Sequence, residues 1–168
     1  MSDILVAYFS ATGRTRRPAE ALAEAAGANL LEIVPALPYT AADLDWRDPR
    51  SRSSREGEDE RARPALARTC AEAGLHRALF IGFPIWWGVE PRIVDTFLES
   101  LTDATEVIVP FATSGGSGIG GAVRRIRGIA DASVVRDGIL LNRVPAREEL
   151  AFWAAWRLSP HAGGSARS

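Results

Sequence analysis

Short apolar runs with β-type composition alternate with segments whose apolar residues recur at helical spacing, and this alternation limits the folds open to the chain. Residues 4–9, Ile4-Leu5-Val6-Ala7-Tyr8-Phe9, form the first such run, and Ala78-Leu79-Phe80-Ile81-Gly82-Phe83 forms a second. Residues 29–34, 106–111 and 133–141 supply three more. The runs are continuously apolar instead of alternating with polar residues, as expected of parallel strands covered on both faces. Between them lie helical patterns: Ala19, Leu22, Ala23 and Ala26 with Gly27 as a C-terminal stop; Ile93, Val94, Phe97, Leu98 and Leu101 after Pro91; Ile119, Val123, Ile126 and Ile129; and residues 146–158 with Phe152, Trp153 and Trp156. Residues 64–73 also read as a helix, capped by Gly74. Strand-helix alternation throughout predicts an α/β fold with a parallel sheet and, through right-handed crossovers, helices on both faces.

One segment breaks the rhythm. Residues 35–63 make a connection longer than a compact domain ordinarily needs, which marks it as functional or disordered. In its first part Thr40-Ala41-Ala42-Asp43 reads as a cap and a short helical turn, with Tyr39, Leu44 and Trp46 as apolar anchors. Its second part, from Arg47 to Arg63, mixes Arg, Ser, Glu and Asp, and is expected to be mobile or held by surface ion pairs. We expect one domain over residues 1–158, with 35–63 as a candidate active-site lid and 159–168 as a flexible tail.

Composition narrows the function classes. A formal net charge of -1 argues against nucleic acid or an anionic membrane as the main partner. All 20 basic residues are arginine, so no lysine serves Schiff-base chemistry. A lone cysteine, Cys70, excludes an internal disulfide or a Cys-x-x-Cys pair and reads as a small packing residue. His76 and His161 are too few for a zinc site. With no apolar run of about 18 residues and no basic leader, a cytoplasmic location is expected.

Three connections carry the chemistry. Ser10-Ala11-Thr12-Gly13-Arg14-Thr15 follows the first strand and opens the first helix. Its hydroxyls, bare N–H groups and helix dipole favour an anion, and a phosphate is the expected one. Its spacing is neither a dinucleotide fingerprint nor a Walker loop. Pro84-Ile85-Trp86-Trp87-Gly88 follows the third strand and offers flat indole faces to a planar ring, with Gly88 letting the backbone approach the ring edge. Thr113-Ser114-Gly115-Gly116-Ser117 follows the fourth strand with hydroxyls and N–H groups but no charge.

Together these loops resemble those of flavodoxin-like proteins carrying an S-x-T-G-x-T turn and a P-I-W-W-G loop, and the likeness extends to Pro38-Tyr39-Thr40-Ala41-Ala42-Asp43-Leu44. The resemblance implies a doubly wound sheet of five strands in the order 2-1-3-4-5, with FMN in the crevice at the carboxyl ends. It assigns cofactor contacts to Ser10, Ala11, Thr12, Gly13, Arg14, Thr15, Pro84, Ile85, Trp86, Trp87, Gly88, Thr113, Ser114, Gly115 and Gly116. Arg14 departs from the asparagine usual in the family, and Pro18 stands where it could crowd the phosphate turn. The implied activity is that of an FMN-dependent oxidoreductase acting on a small, quinone-like or aromatic molecule. The alternatives are an electron carrier to partner proteins and a flavin-free binding module. No catalytic side chain and no metal ligand are assigned. Asp43, Glu90 and Tyr39 read better as a helix acid, a dipole complement and an anchor. Partners reduce to a small molecule or a redox protein, with assembly into oligomers left open.

Overall fold

The computed structural model of the chain describes residues 2–102 and 104–160. Five parallel strands, β1 (Ile4–Tyr8), β2 (Asn29–Glu32), β3 (Ala78–Pro84), β4 (Val107–Thr113) and β5 (Ile139–Leu140), form one sheet in the order β2-β1-β3-β4-β5. Helices α1 (Arg16–Ala26), α2 (Arg52–Glu58), α3 (Arg92–Glu99), α4 (Gly120–Ile129) and α5 (Arg147–Leu158) complete the expected doubly wound arrangement.

The two faces of the sheet follow from the two-residue period of a strand. Leu5, Ala7, Phe9, Leu79, Ile81 and Phe83 point to the side of α3 and α4, where they meet Ile93, Val94, Phe97 and Ile126. Val6, Tyr8, Phe80, Val109 and Phe111 point the other way, onto Leu22 of α1 and Leu150 of α5. Each central strand is therefore apolar along its whole length. Gly82 is fixed by the same packing, because a Cβ there would collide with the Phe111 ring of the neighbouring strand. Gly27 ends α1 in the left-handed region at φ 62°.

Three expectations need correction. Residues 64–73 do not form a helix. Ala36 N–H donates to Ala65 O and Ala67 N–H to Val34 O, so this stretch pairs antiparallel with the chain leaving β2, and only a 3₁₀ turn at Ala71–Leu75 follows. Long-range pairing overrides alanine's helix preference there. The second part of the long connection, for its part, contains α2. Ser51 Oγ accepts from Ser54 N–H as its cap, and Ser53 and Ser54 are buried. Arg92, itself buried, donates to the carbonyls of Gly57 and Asp59 at the far end. The last strand is also shorter than residues 133–141. Ile108 bonds Val134 and Arg136, but two residues on, Pro110 has no N–H to continue, and pairing resumes only where Phe111 and Ala112 lie opposite Ile139 and Leu140, ending with Leu141 N–H on Ala112 O. Ser133 lies in a turn on Asp131 instead.

Of the predicted tail, residues 161–168 lie outside the described residues, as does His161. Among the described residues no helix is long and apolar enough to cross a membrane.

Candidate functional site

Parallel strands that end in register deliver their following loops to one edge. Tyr8 is level with Gly82 and Phe111, and Pro84 with Thr113, so the connections after β1, β3 and β4 emerge side by side at the carboxyl end of the sheet. Between them lies a cleft of about 440 Å³ whose walls include Ala11, Thr12, Pro84, Ile85, Trp86, Trp87 and Gly88, with Ser117 at one side. The long connection closes it with Leu44, Trp46 and Ser53.

The first loop turns on Gly13, at φ 90°, whose N–H donates to Ser10 Oγ at 3.1 Å. Open space surrounds the position a Gly13 Cβ would take. Helix α1 begins at Arg16, with no side-chain cap at Thr15 and no acidic residue in its first turn, so the chain itself leaves the positive end of the helix dipole uncompensated. Pro18 does not disturb this turn. The first helical bond runs from Ala19 N–H to Thr15 O at 3.1 Å, and the N–H that proline lacks is one of those a helix leaves unpaired anyway. Arg14 is exposed on the loop. Thr15 is buried, and its hydroxyl bonds that of Thr113, also buried, at 2.9 Å, tying the first loop to the third.

The two tryptophans part ways. Trp86 stands edge-on to Phe9 at 5.6 Å and to Tyr39 at 5.3 Å, which fixes its ring as a wall of the cleft. Tyr39 is held in turn by α2: its hydroxyl donates to both Glu56 oxygens at 2.8 Å, and the Arg52 guanidinium lies 3.8 Å from its ring centre. Burial and the neighbouring Glu56 carboxylate push the Tyr39 hydroxyl well above its ordinary pKa, so it stays a donor. Trp87 is 52 % exposed and is the one non-glycine residue at positive φ (56°) among the described residues. It is followed by Gly88 at φ 77°. Trp86 N–H to Val89 O, at 2.9 Å, and the reciprocal bond at 3.2 Å close the loop.

In the third loop Gly116 N–H donates to Ser114 Oγ, and Ser114 N–H donates to Asn142 Oδ1 at 2.7 Å. Of the predicted contacts, Ala11, Thr12, Pro84, Ile85, Trp86, Trp87 and Gly88 line the cleft directly. Ser10, Gly13, Arg14, Thr15, Ser114, Gly115 and Gly116 sit in the adjoining turns, and Thr113 at the end of β4, without forming its walls. Leu44, Trp46 and Ser53, from the segment expected as a candidate lid, and Asn142 are not among the predicted contacts, whereas Ser117 belongs to the third loop already singled out; the aromatic composition of 39–46 is the sign in the sequence for Leu44 and Trp46.

The three side candidates resolve as follows. Asp43 and Thr40 cap each other, with Thr40 N–H on Asp43 Oδ2 at 2.9 Å and Asp43 N–H on Thr40 Oγ1 at 3.2 Å, which lowers the Asp43 pKa. Tyr39 is an anchor, as expected. Glu90 is not a surface dipole complement. It is 1 % exposed and faces Asp95, 0 % exposed, across Arg125, which donates to Glu90 Oε1 at 2.9 Å and to Asp95 Oδ2 at 2.7 Å. Burial, and then the neighbouring Asp95 carboxylate, push Glu90 up to about 8. Among the described residues no cluster of His, Cys, Asp or Glu could hold a metal ion, and Cys70 is buried in the core.

The family model described as Flavodoxin matches residues 3–156. The chain belongs to the flavodoxin family. Among solved structures, a protein of Bacteroides eggerthii provisionally described as a flavoprotein is 44 % identical, with 95 % of this chain and 99 % of that one covered and a TM-score of 0.87. A counterpart from Bacteroides uniformis is 44 % identical, with 92 % and 98 % covered and a TM-score of 0.84. A Lactobacillus acidophilus flavoprotein in complex with FMN is 20 % identical over 83 % of this chain and 93 % of that one, with a TM-score of 0.63, and shares the fold. None of the curated proteins matches the chain. The strand order 2-1-3-4-5 and its carboxyl-edge cleft are thus those of a flavodoxin-family member.

Proposed function

We propose that this flavodoxin-family protein binds FMN in the carboxyl-edge cleft and acts as an oxidoreductase on a small organic molecule. The observation that carries the reading is the pairing, in one cleft, of a fixed indole wall with Ala11 and Thr12 of the turn that leads into the uncompensated N-terminus of α1. A cofactor with a phosphate at one end and a planar ring at the other matches that division. Residues 10–15 would hold the phosphate through N–H groups and the Thr12 hydroxyl. Trp86 and Trp87 would flank the ring, and the loop of residues 114–117 would face its polar edge. Bound FMN supplies one- and two-electron redox chemistry, and the chain's own groups orient and shield it.

Two features favour small-molecule turnover over electron carriage between proteins. The long connection roofs the cleft with Leu44, Trp46 and Ser53, which narrows access for a docking protein. A net charge of -1 offers little long-range steering toward a partner. The test is an FMN titration followed by absorbance, then assay of the loaded protein with NAD(P)H and a panel of quinones. Saturable uptake with quinone reduction supports the proposal. A protein that takes up FMN but reduces no acceptor and holds a long-lived semiquinone is a carrier; one that takes up no FMN uses the cleft for something else.

A further inference from the structure

The residues that line the main cleft include no ionisable side chain. A nicotinamide donor gives up a hydride, which carries two electrons and one proton, whereas a quinone-type acceptor that gains two electrons takes up two protons with them. No acid in the cleft wall can supply the second. Burial and Glu56 hold the Tyr39 proton in place, and the Thr40 N–H keeps Asp43 ionised.

An acid does stand beside that wall. A space of about 10 Å³, room for one water molecule, shares Ser53, Trp86 and Trp87 with the cleft and is lined beyond them by Glu90 and Arg92. Of the three shared side chains, only the Ser53 hydroxyl both donates and accepts a proton, since an indole N–H donates alone. Ser53 is buried, yet Ser51 Oγ is its one side-chain contact among the described residues, at 3.5 Å, and Ser51 Oγ is already bonded to Ser54 Oγ at 2.9 Å. A buried hydroxyl held so loosely calls for a firmer partner. Arg92, 5 % exposed, donates through Nε and Nη2 to the carbonyls of Asp59 and Gly57 and has no partner for Nη1; Glu90 has none for Oε2.

Glu90 also holds a proton to give. Asp95 of α3 and Arg125 of α4 face it, Arg63 comes within 3.8 Å of Asp95, and Glu60 lies 3.9 Å from Arg125; Arg92 and Glu56 line the same small space. Burial, and then Asp95, raise Glu90 to about 8, so at neutral pH the carboxyl is protonated.

We propose that Glu90 is the proton source for reduction in the cleft, acting through one water molecule and the Ser53 hydroxyl. The water, bonded by Arg92 Nη1, joins the Glu90 carboxyl to Ser53 Oγ. The hydride donor supplies two electrons and one proton. The Ser53 O–H bond breaks as the acceptor O–H bond forms, the water restores the Ser53 proton, and Glu90 restores that of the water. Glu90 is left as a carboxylate beside Arg125 and regains its proton from solvent before the next turnover. This role rests on the oxidoreductase reading above for its purpose; the path itself is a property of the chain.

Infrared spectroscopy of the ligand-free chain tests the path. The C=O stretch of a buried, protonated carboxyl should be present at about pH 6, fade as pH rises through about 8 and be missing in Glu90→Gln. On rapid mixing into D₂O, Ser53→Ala should slow exchange of that proton at least about tenfold, and Ser53→Thr, which keeps a hydroxyl, should slow it less. Oxidation of the reduced, FMN-loaded protein by menadione should slow about tenfold per pH unit above about 8. In Glu90→Gln it should be at least about a hundredfold slower at neutral pH and independent of pH. That pattern supports the relay. Absence of the band from wild type, its survival in Glu90→Gln, or equal exchange in wild type and Ser53→Ala would overturn it. Menadione reduction by Glu90→Gln at the wild-type rate would also overturn it, with solvent as the proton source. A chain that takes up no FMN or reduces no acceptor would overturn the oxidoreductase reading instead, and the exchange arm would still decide the path.

Discussion

Replacing Glu90 with glutamine should remove a pH dependence that the fold builds into its own stability. Glu90 and Asp95 are both fully enclosed, Arg125 bonds one oxygen of each, and Glu90 Oε2 and Asp95 Oδ1 have no other partner. With both acids ionised two enclosed carboxylates lean on the one Arg125 guanidinium, Arg63 approaching Asp95 Oδ2 only at 3.8 Å; one proton held by the pair relieves their mutual repulsion and the cost of burial. Burial and Asp95 accordingly raise Glu90 from its ordinary 4.5 to about 8. The folded chain therefore keeps a proton that the unfolded chain gives up. This stabilisation is complete below about pH 4.5 and is lost as pH rises through about 8. One proton bound only in the folded state gives a slope of about 1.4 kcal/mol per pH unit, or roughly 2–3 kcal/mol between about pH 5.5 and 7.5. Glutamine keeps an oxygen for Arg125 and an N–H for Asp95 at every pH. Urea unfolding of both proteins across that range should show wild type losing stability against Glu90→Gln by this amount as pH rises. Parallel pH profiles, or wild type gaining on the variant with rising pH, would refute the shared proton.

Further outcomes follow from single contacts. Thr12→Ala removes a hydroxyl from the cleft wall and should weaken FMN binding by roughly 1–3 kcal/mol, read from the absorbance titration. Asn142→Ala deprives Ser114 N–H of its acceptor and should weaken FMN binding by about 1 kcal/mol while thermal stability changes little, the contact being exposed. Gly57→Ala ordinarily strengthens a helix; here the added methyl meets the Trp87 ring, so a loss of about 1–3 kcal/mol in unfolding free energy and a shift in tryptophan emission are expected. Gly82→Ala forces a methyl into the Phe111 ring between two buried strands and should cost at least as much, with loss of cooperative unfolding as its extreme.

What the sequence disclosed and what it hid divide along a physical line. The runs at 4–9 and 78–83 are apolar on both faces because both faces are covered, and no distant residue is needed to recognise that pattern. The turns after them could be read for the same reason: Gly13, Gly88 and their hydroxyl-bearing neighbours are local features. The order of the strands came from the family likeness of those turns, and the register confirms it. Features fixed by remote partners were illegible. Residues 52–58 show no apolar period, since their helix is held by a serine cap, two buried serines and the guanidinium of Arg92 from α3. Residues 64–67 look helical until the chain leaving β2 claims their hydrogen bonds. The last strand is cut short by a proline in its neighbour, and Glu90 reads as a surface acid unless Arg125 is known to come back to it. In the cleft, Trp46 and Ser53 enter through the same long connection whose path could not be foreseen.

The contacts of Tyr39 bear on how this architecture could diversify. Its ring steadies Trp86 while its hydroxyl and face are gripped by Glu56 and Arg52, so the tilt of that indole is governed from a stretch that contributes no strand. Rewriting residues 35–63 would leave the sheet and its hydroxyl-rich turns intact yet retune the surface against which a guest ring rests. Selection or a designer could adjust reactivity through the roof without touching the foundation.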